Sequence, residues 1–296
     1  MRKLLKVVGW MVGVLAVLIL VAGLGIYFIS QSGINKTYAV NPAAVSIPTD
    51  PASIAEGERI ATFRGCRDCH GANLAGKVFI DGGLGHVTGA NLTSGKGGIG
   101  ATFSDADWVR AIRHGIGADG KALWIMPSSE YNTLSDSDLG KIIAYIKQVP
   151  PVDTNYEQNT LTMLGRALYV FGQVPLLNAE KINHDAQRVD PSPAVTAEYG
   201  KYLASSCTGC HGQNYAGQKI PGSADTDPLA ANLTPAGDLK SWTADQFITM
   251  MRTGKTPEGK QIDPQYMPWT AFGKMTDDEL KALFMFLQSL PAVPSK

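Results

Sequence analysis

Cys66-Arg67-Asp68-Cys69-His70 decides the reading of this chain, and Cys207-Thr208-Gly209-Cys210-His211 repeats it. The C-x-x-C-H spacing is that of a covalent haem attachment site. Two thiols three positions apart reach the two vinyl groups of one haem as thioethers, and the adjacent imidazole reaches the iron as its first axial ligand. The same spacing occurs in zinc sites and thiol-redox pairs. A structural zinc takes four protein ligands, and neither copy has a second cysteine pair or an extra histidine beside it. A redox pair calls for a βαβ setting that the flanking sequence lacks. All four cysteines of the 296-residue chain lie in the two motifs, so none remains for a disulfide framework or a separate nucleophile. The expected cofactors are two covalently bound haems c, held through Cys66, Cys69 and His70 and through Cys207, Cys210 and His211.

Sliding the chain on itself extends the match beyond the motifs. Ala90-Asn91-Leu92-Thr93 returns as Ala231-Asn232-Leu233-Thr234, and Met126-Pro127 returns as Met267-Pro268, each at the 141-residue offset that separates Cys66 from Cys207. Helix signals repeat too. Ser104-Asp105-Ala106-Asp107 and Thr243-Ala244-Asp245-Gln246 open like capped helices, and Gly115 and Gly254 follow their last turns. Ser135 and Thr276 cap a final helix in each copy, with Leu139, Ile142, Ile143 and Ile146 forming one apolar face and Leu280, Leu283, Phe284 and Leu287 the other. A short helix precedes each motif, over about 52–63 and 196–204. Long glycine-rich loops join these helices, with no convincing strand pattern.

Methionine is ordinarily a core filler. Met126 and Met267 are matched between the repeats, precede proline and stand 56 residues after their motif histidines. That placement makes them the expected sixth ligands, with His70 and Met126 on one iron and His211 and Met267 on the other. His86 and His114 are the competitors in the first repeat; His114 falls at a helix C-terminus, where a surface cation is the simpler reading. A thioether favours ferrous iron and raises the potential. It also closes the sixth position, which suits electron transfer and leaves no catalytic residue to name. Asn91 and Asn232 are read either as haem-loop residues near a propionate or as turn residues. Trp124 and Tyr266 are expected to pack on a haem edge.

The N-terminus reads Met-Arg-Lys-Leu-Leu-Lys and then runs uncharged from Val7 to Gln31. As a helix, residues 7–29 extend roughly 35 Å, enough for a hydrocarbon core of about 30 Å. Arg2, Lys3 and Lys6 keep the short end in the cytoplasm by the positive-inside rule. Ala22, Gly23 and Gly25 leave a cleaved leader as the alternative. With 26 basic and 26 acidic residues, the formal net charge is zero, which gives no electrostatic case for nucleic acid. The expected division is a membrane anchor over 1–31, a tether over 32–51, a haem domain over 52–152, a connector over 153–195 and a second haem domain over 196–296. Within the connector, residues 161–177 are largely apolar. They read as a helix packed on the haem domains, or as a docking surface for membrane or a partner.

Both halves resemble class I cytochrome c domains. The first is similar to the cytochrome c subunits of bacterial membrane-bound alcohol and gluconate dehydrogenases, on Cys66-x-x-Cys69-His70-Gly71, Asn91-Leu92-Thr93, Gly98-Ile99-Gly100, Phe103-Ser104, Asp119-Gly120, Met126-Pro127, Tyr131 and the helix over 134–151. The resemblance implies an all-α fold of two tandem domains behind an N-terminal transmembrane helix. It also implies His/Met ligation and passage of electrons from a periplasmic dehydrogenase toward the respiratory chain. Those subunits carry three haems and usually a C-terminal anchor, whereas this chain shows two motifs and an N-terminal apolar segment. Anchored dihaem subunits of cbb3-type oxidases look similar in architecture. A dihaem peroxidase or thiosulfate-oxidising enzyme is the alternative of a different class.

Overall fold

The computed structural model describes residues 2–220 and 223–295. Helix α1 spans Arg2–Asn35, and its apolar side chains from Val7 to Phe28 stay mostly exposed. It is long and apolar enough to cross a membrane. The first repeat opens with α2 (Pro51–Phe63). Asp50 caps it by accepting the Ser53 N–H, and Pro51 stands where a missing N–H costs nothing. After it come α3 (Cys66–His70), strands β1 (Lys77–Gly82) and β2 (Gly85–Gly89), α4 (Asp105–His114), α5 (Ser128–Tyr131) and α6 (Asp136–Gln148). The connector holds β3 (Thr160–Leu161) and α7 (Met163–Val170). The second repeat contains α8 (Ala197–Leu203), α9 (Thr208–His211), α10 (Ala244–Thr253), α11 (Trp269–Phe272) and α12 (Asp277–Ser289).

The expected caps form. Ser104 with Asp107, Thr243 with Gln246 and Thr276 with Glu279 make reciprocal capping boxes, and Ser135 accepts from the Asp138 N–H. In each repeat the first helix crosses the last at a glycine. A Cβ on Gly57 would run into the Lys141 carbonyl, and one on Gly200 into the Ala282 carbonyl. Close crossing lets Ile60 and Ile143, and in the second repeat Leu203 and Leu283, bury almost completely. These residues belong to one hydrophobic cluster that runs through both repeats without a break.

The fold is mainly helical, with one addition to the expected all-α pattern. β1 and β2 form an antiparallel hairpin, and β3 from the connector pairs with β2 on its other side. The strands are short and glycine-bounded, with a bulge between Val78 and Ile80, so no alternating pattern builds up in the sequence.

The segment expected as a tether lies along the first repeat. The Tyr38 N–H donates to the Gly120 carbonyl at 2.8 Å, Arg110 Nε donates to the Val40 carbonyl at 3.1 Å, and Val45 and Ile47 pack on the core. Helix α7 packs on α1: Arg166 donates to Ser30 Oγ at 2.8 Å and Gln31 Oε1 at 3.1 Å and stacks over Tyr27. Leu176 and Leu177, further along the connector, join Ile34 of α1 and Ile116 in a second buried cluster.

Candidate functional site

Each motif forms a short helical turn that ends at a glycine only glycine tolerates easily: Gly71 at φ 78° and Gly212 at φ 81°. Three residues further on, Leu74 (φ 57°) and Tyr215 (φ 59°) both adopt the left-handed conformation. Their carbonyls accept the Leu92 and Leu233 N–H groups, each at 2.8 Å. The loop that returns past the motif is thereby reproduced bond for bond.

That return places a backbone carbonyl behind each imidazole. His70 Nδ1 lies 2.8 Å from the Ala90 oxygen, and His211 Nδ1 lies 2.7 Å from the Ala231 oxygen. A carbonyl only accepts, so Nδ1 carries the proton and Nε2 keeps its lone pair for a metal. Burial pushes both histidines below the usual imidazole range, against a smaller upward pull from these carbonyls. A neutral ring with Nε2 free is the form that ligates iron. The repeated Ala-Asn-Leu-Thr segment was visible in the sequence, but the carbonyl that does this work belongs to a residue with no reactive side chain.

The methionines share a second device. The Ser128 N–H donates to the Met126 carbonyl at 2.8 Å, and the Trp269 N–H donates to the Met267 carbonyl at 2.7 Å. Pro127 (φ −79°, ψ 50°) and Pro268 (φ −76°, ψ 58°) lie at the centres of these inverse γ-turns. Proline fixes the φ angle that the turn needs. In the first repeat, connector residues add bracing: Asn178 Nδ2 donates to the Met126 carbonyl and the Ile125 N–H to the Leu176 carbonyl. In the second, Trp269 Nε1 donates to the Ile262 carbonyl, so the brace comes from within the repeat.

Cys207, Cys210, His211 and Met267 line one cavity of about 630 Å³, with Phe247 and Leu283 among its apolar walls. That volume lies within the roughly 300–1,000 Å³ of sites for sizeable organic ligands. The donor set and the walls fit a haem: two thiols for the thioethers, nitrogen and sulfur for the iron, hydrocarbon around the ring. In the first repeat, Cys66 and Met126 pack on the shared core. There the indole Nε1 of Trp108 is buried without an acceptor among the described residues. Such a donor calls for an acceptor brought by an enclosed group, and a haem carboxylate is one. Burial pushes the Cys66 and Cys207 thiols up to about 12, the reverse of what a reactive thiol pair requires.

The cavity of the second repeat is not closed by the second repeat alone. Arg64, Asp68, Cys69 and Glu130 of the first also line it. Nothing in the sequence singled out Arg64 or Glu130, because neither residue type recurs at the repeat offset, where Ser205 and Ala271 stand.

The structure decides between the remaining readings, and it overturns those of Trp124 and His114. Asn91 donates to the Val152 carbonyl at 2.7 Å and Thr154 Oγ1 at 2.9 Å and accepts the Thr93 N–H. Asn232 repeats this toward Val293, Ser295 and Thr234. Both asparagines staple the tail after the last helix to the turn, which uses their hydrogen-bonding capacity. Trp124 packs on the cluster around Ile116 and Leu177, away from the motif core, whereas Tyr266 lines the cavity. His86 sits on β2 between Asp81 and Thr88. His114 is no surface cation. It is 4% exposed, its Nδ1 is 3.0 Å from His184 Nδ1, and burial together with His184 and three arginines pushes it down to about 4.

Comparison with known proteins settles what the repeats are. Residues 197–291 match the family model described as cytochrome c, and residues 52–146 match the one described as cytochrome c oxidase, cbb3-type, subunit III. Both repeats are cytochrome c domains. Two covalently bound haems c follow from the two domains and their cysteine pairs. Among its relatives, the chain is 29% identical over 287 residues to the fructose dehydrogenase cytochrome subunit of Gluconobacter japonicus, covering 83% of this chain and 55% of that protein. It is 27% identical over 288 residues to the cytochrome c subunit of the quinone alcohol dehydrogenase of Gluconobacter oxydans (85% and 58%). It is 26% identical over 274 residues to the gluconate 2-dehydrogenase cytochrome c subunit of Pantoea cypripedii (81% and 60%). The chain thus spans a little over half the length of these relatives.

Proposed function

We propose that this dihaem cytochrome c carries electrons at a membrane surface. His70 and Met126 would hold the iron of the first haem, and His211 and Met267 that of the second. The observation that carries the reading is the convergence of both cysteines, the Nε2-bearing histidine and the methionine on one cavity in the second domain. The matched histidine–carbonyl bonds and Met-Pro turns of the first domain support the same assignment there. A histidine and a methionine holding each iron would leave no site for oxygen or peroxide, and the residues around them serve to orient these two side chains and exclude water. When bound, each haem supplies a one-electron redox couple.

Helix α1 is the membrane anchor in this reading. Its basic N-terminus stays in the cytoplasm, and the haem domains lie on the periplasmic side. Because its relatives are named as cytochrome subunits of sugar, alcohol and gluconate dehydrogenases, the electron donor is a membrane-associated dehydrogenase subunit. The second reading, a haem subunit of a terminal oxidase, is favoured by the family model that matches the first domain.

The test is purification of the full chain from native membranes in mild detergent. Two haems per chain, low-spin ferric and ferrous spectra, and a co-purifying dehydrogenase subunit are expected. A high-spin ferric haem or rapid cyanide binding would overturn the closed ligation. A co-purifying oxidase core would favour the second reading.

A further inference from the structure

The first domain places Arg64 at the edge of the second domain's cavity, between the two attachment motifs. The residue is 4% exposed. Its Nη1 donates to Ser205 Oγ and Ser206 Oγ, each at 2.8 Å, and to the Leu203 carbonyl at 3.5 Å. All of these partners are neutral and belong to the second domain. Nε and Nη2 are buried without a hydrogen-bond partner among the described residues. The guanidinium is held between the rings of Phe63 and Tyr202, and its own carbonyl accepts the Tyr131 hydroxyl at 2.8 Å. Arg64 is therefore fixed from both domains, and among the described residues no carboxylate forms an ion pair with it. Asp68, Glu130, Asp238 and Asp263 share the cavity; burial pushes Asp68 up and pushes Glu130 up to about 7, with Arg64 pulling Glu130 the other way.

The position is shared. Cys69 of the first motif and Cys207 and Cys210 of the second line the same cavity as Arg64, so thiols of both attachment motifs face the region it occupies. At the repeat offset the counterpart of Arg64 is Ser205, one of the hydroxyls it bonds, so one cation serves two sites that are otherwise built alike.

We propose that Arg64 is an electrostatic control residue for both haems, whose buried, unpaired charge favours their reduced forms. Adding an electron to either haem lowers the local positive charge by one, and a nearby cation rewards that change. A unit charge roughly 10 Å from an iron, at an effective dielectric of about 20, biases the couple about tenfold. Burial keeps most of that bias from being screened by salt. The inference rests on both motifs being loaded haem sites, and haem content is therefore measured beside the potentials.

The experiment is a potentiometric titration of the full-length, detergent-purified holoprotein and of three variants: Arg64→Gln, Arg64→Lys, and Ser205→Ala with Ser206→Ala. The glutamine variant should move both couples toward oxidation by about tenfold in the oxidised-to-reduced ratio at fixed potential, about 59 mV for a one-electron couple. The lysine variant should stay closer to the parent. The serine pair, which keeps the charge and loosens its position, should move less than glutamine, and the shifts should persist in 1 M salt. Unmoved couples in Arg64→Gln, with two low-spin haems per chain, would overturn the proposal and leave Arg64 a packing residue. Should Arg64→Gln lose haem, Arg64→Met, which also removes the charge, is titrated in its place: unmoved couples with two low-spin haems per chain overturn the proposal. Fewer than two haems in the parent chain would instead indict the dihaem reading beneath it.

Discussion

Arg59 and Glu279 form a two-pronged ion pair across the two domains, Nη1 to Oε2 at 2.6 Å and Nη2 to Oε1 at 2.8 Å. Arg59 lies two residues after Gly57, and Tyr202 lies two residues after Gly200, the glycines at which each domain's first helix crosses its last. Tyr202 in turn donates to Asp138 at 2.6 Å. Asp138 and Glu279 hold the same cap position in α6 and α12. The interface is thus approximately two-fold, each domain's first helix reaching the other's last, with a different residue pair at each end.

Because the Arg59 and Glu279 side chains are only 21% and 9% exposed, their coupling should be measurable. A double-mutant cycle with Arg59→Leu and Glu279→Leu, read by chemical denaturation, should give about 1–3 kcal/mol of interaction. Haem content should not change. A coupling near zero would mean that this pair adds nothing to the other contacts that hold the interface.

Gly57→Ala and Gly200→Ala should each cost about 2 kcal/mol or more, since the added carbon meets a backbone carbonyl that cannot move without displacing a helix. Each should lower haem incorporation in its own domain first. Stoichiometry by absorbance, with the domains distinguished by their potentials, reads this directly.

Met126→His and Met267→His should each lower one couple and leave the other nearly in place. The expected drop is on the order of 100 mV, a fraction of the roughly 0.8 V that axial ligands span. No shift in either variant would remove both methionines from the irons.

The His114–His184 pair sets a pH dependence. Burial is the leading cause holding both rings below their ordinary range. The folded state therefore resists a proton that the unfolded chain accepts near 6.5. Their contribution is complete above about 6.5 and is lost as the pH falls toward 4. His114→Gln should flatten the dependence of stability on pH in that window, measured by urea unfolding at pH 7.5 and 5.

Met163, Leu164 and Phe171 remain exposed where α7 lies along α1. Leu164→Glu should weaken vesicle binding of a chain cut after the anchor and leave both haem spectra unchanged. Loss of haem would show that α7 supports the domains instead.

The motifs, the 141-residue offset, the caps and the apolar faces of α6 and α12 were all legible in the sequence, because each depends on residue type at a fixed local spacing. What escaped depends on long-range placement. Ala90 and Ala231 act through a carbonyl every residue possesses, and His114 looks like a helix-end cation until His184 arrives from 70 residues away. The β1–β2 hairpin was hidden by its glycines. Arg64 fell outside the repeat pattern, and the pattern was what guided the search for ligands.

The bracing of the Met126 loop separates two sites that share a plan. Its support comes from Leu176 and Asn178, and Leu176 lies in the cluster that includes Ile34 at the end of α1. Met267 has its support within its own domain. Mechanical load on α1 therefore has a continuous packed route to one ligand loop and a far longer one to the other. Under tension or thermal agitation at the bilayer, the first site should respond before the second.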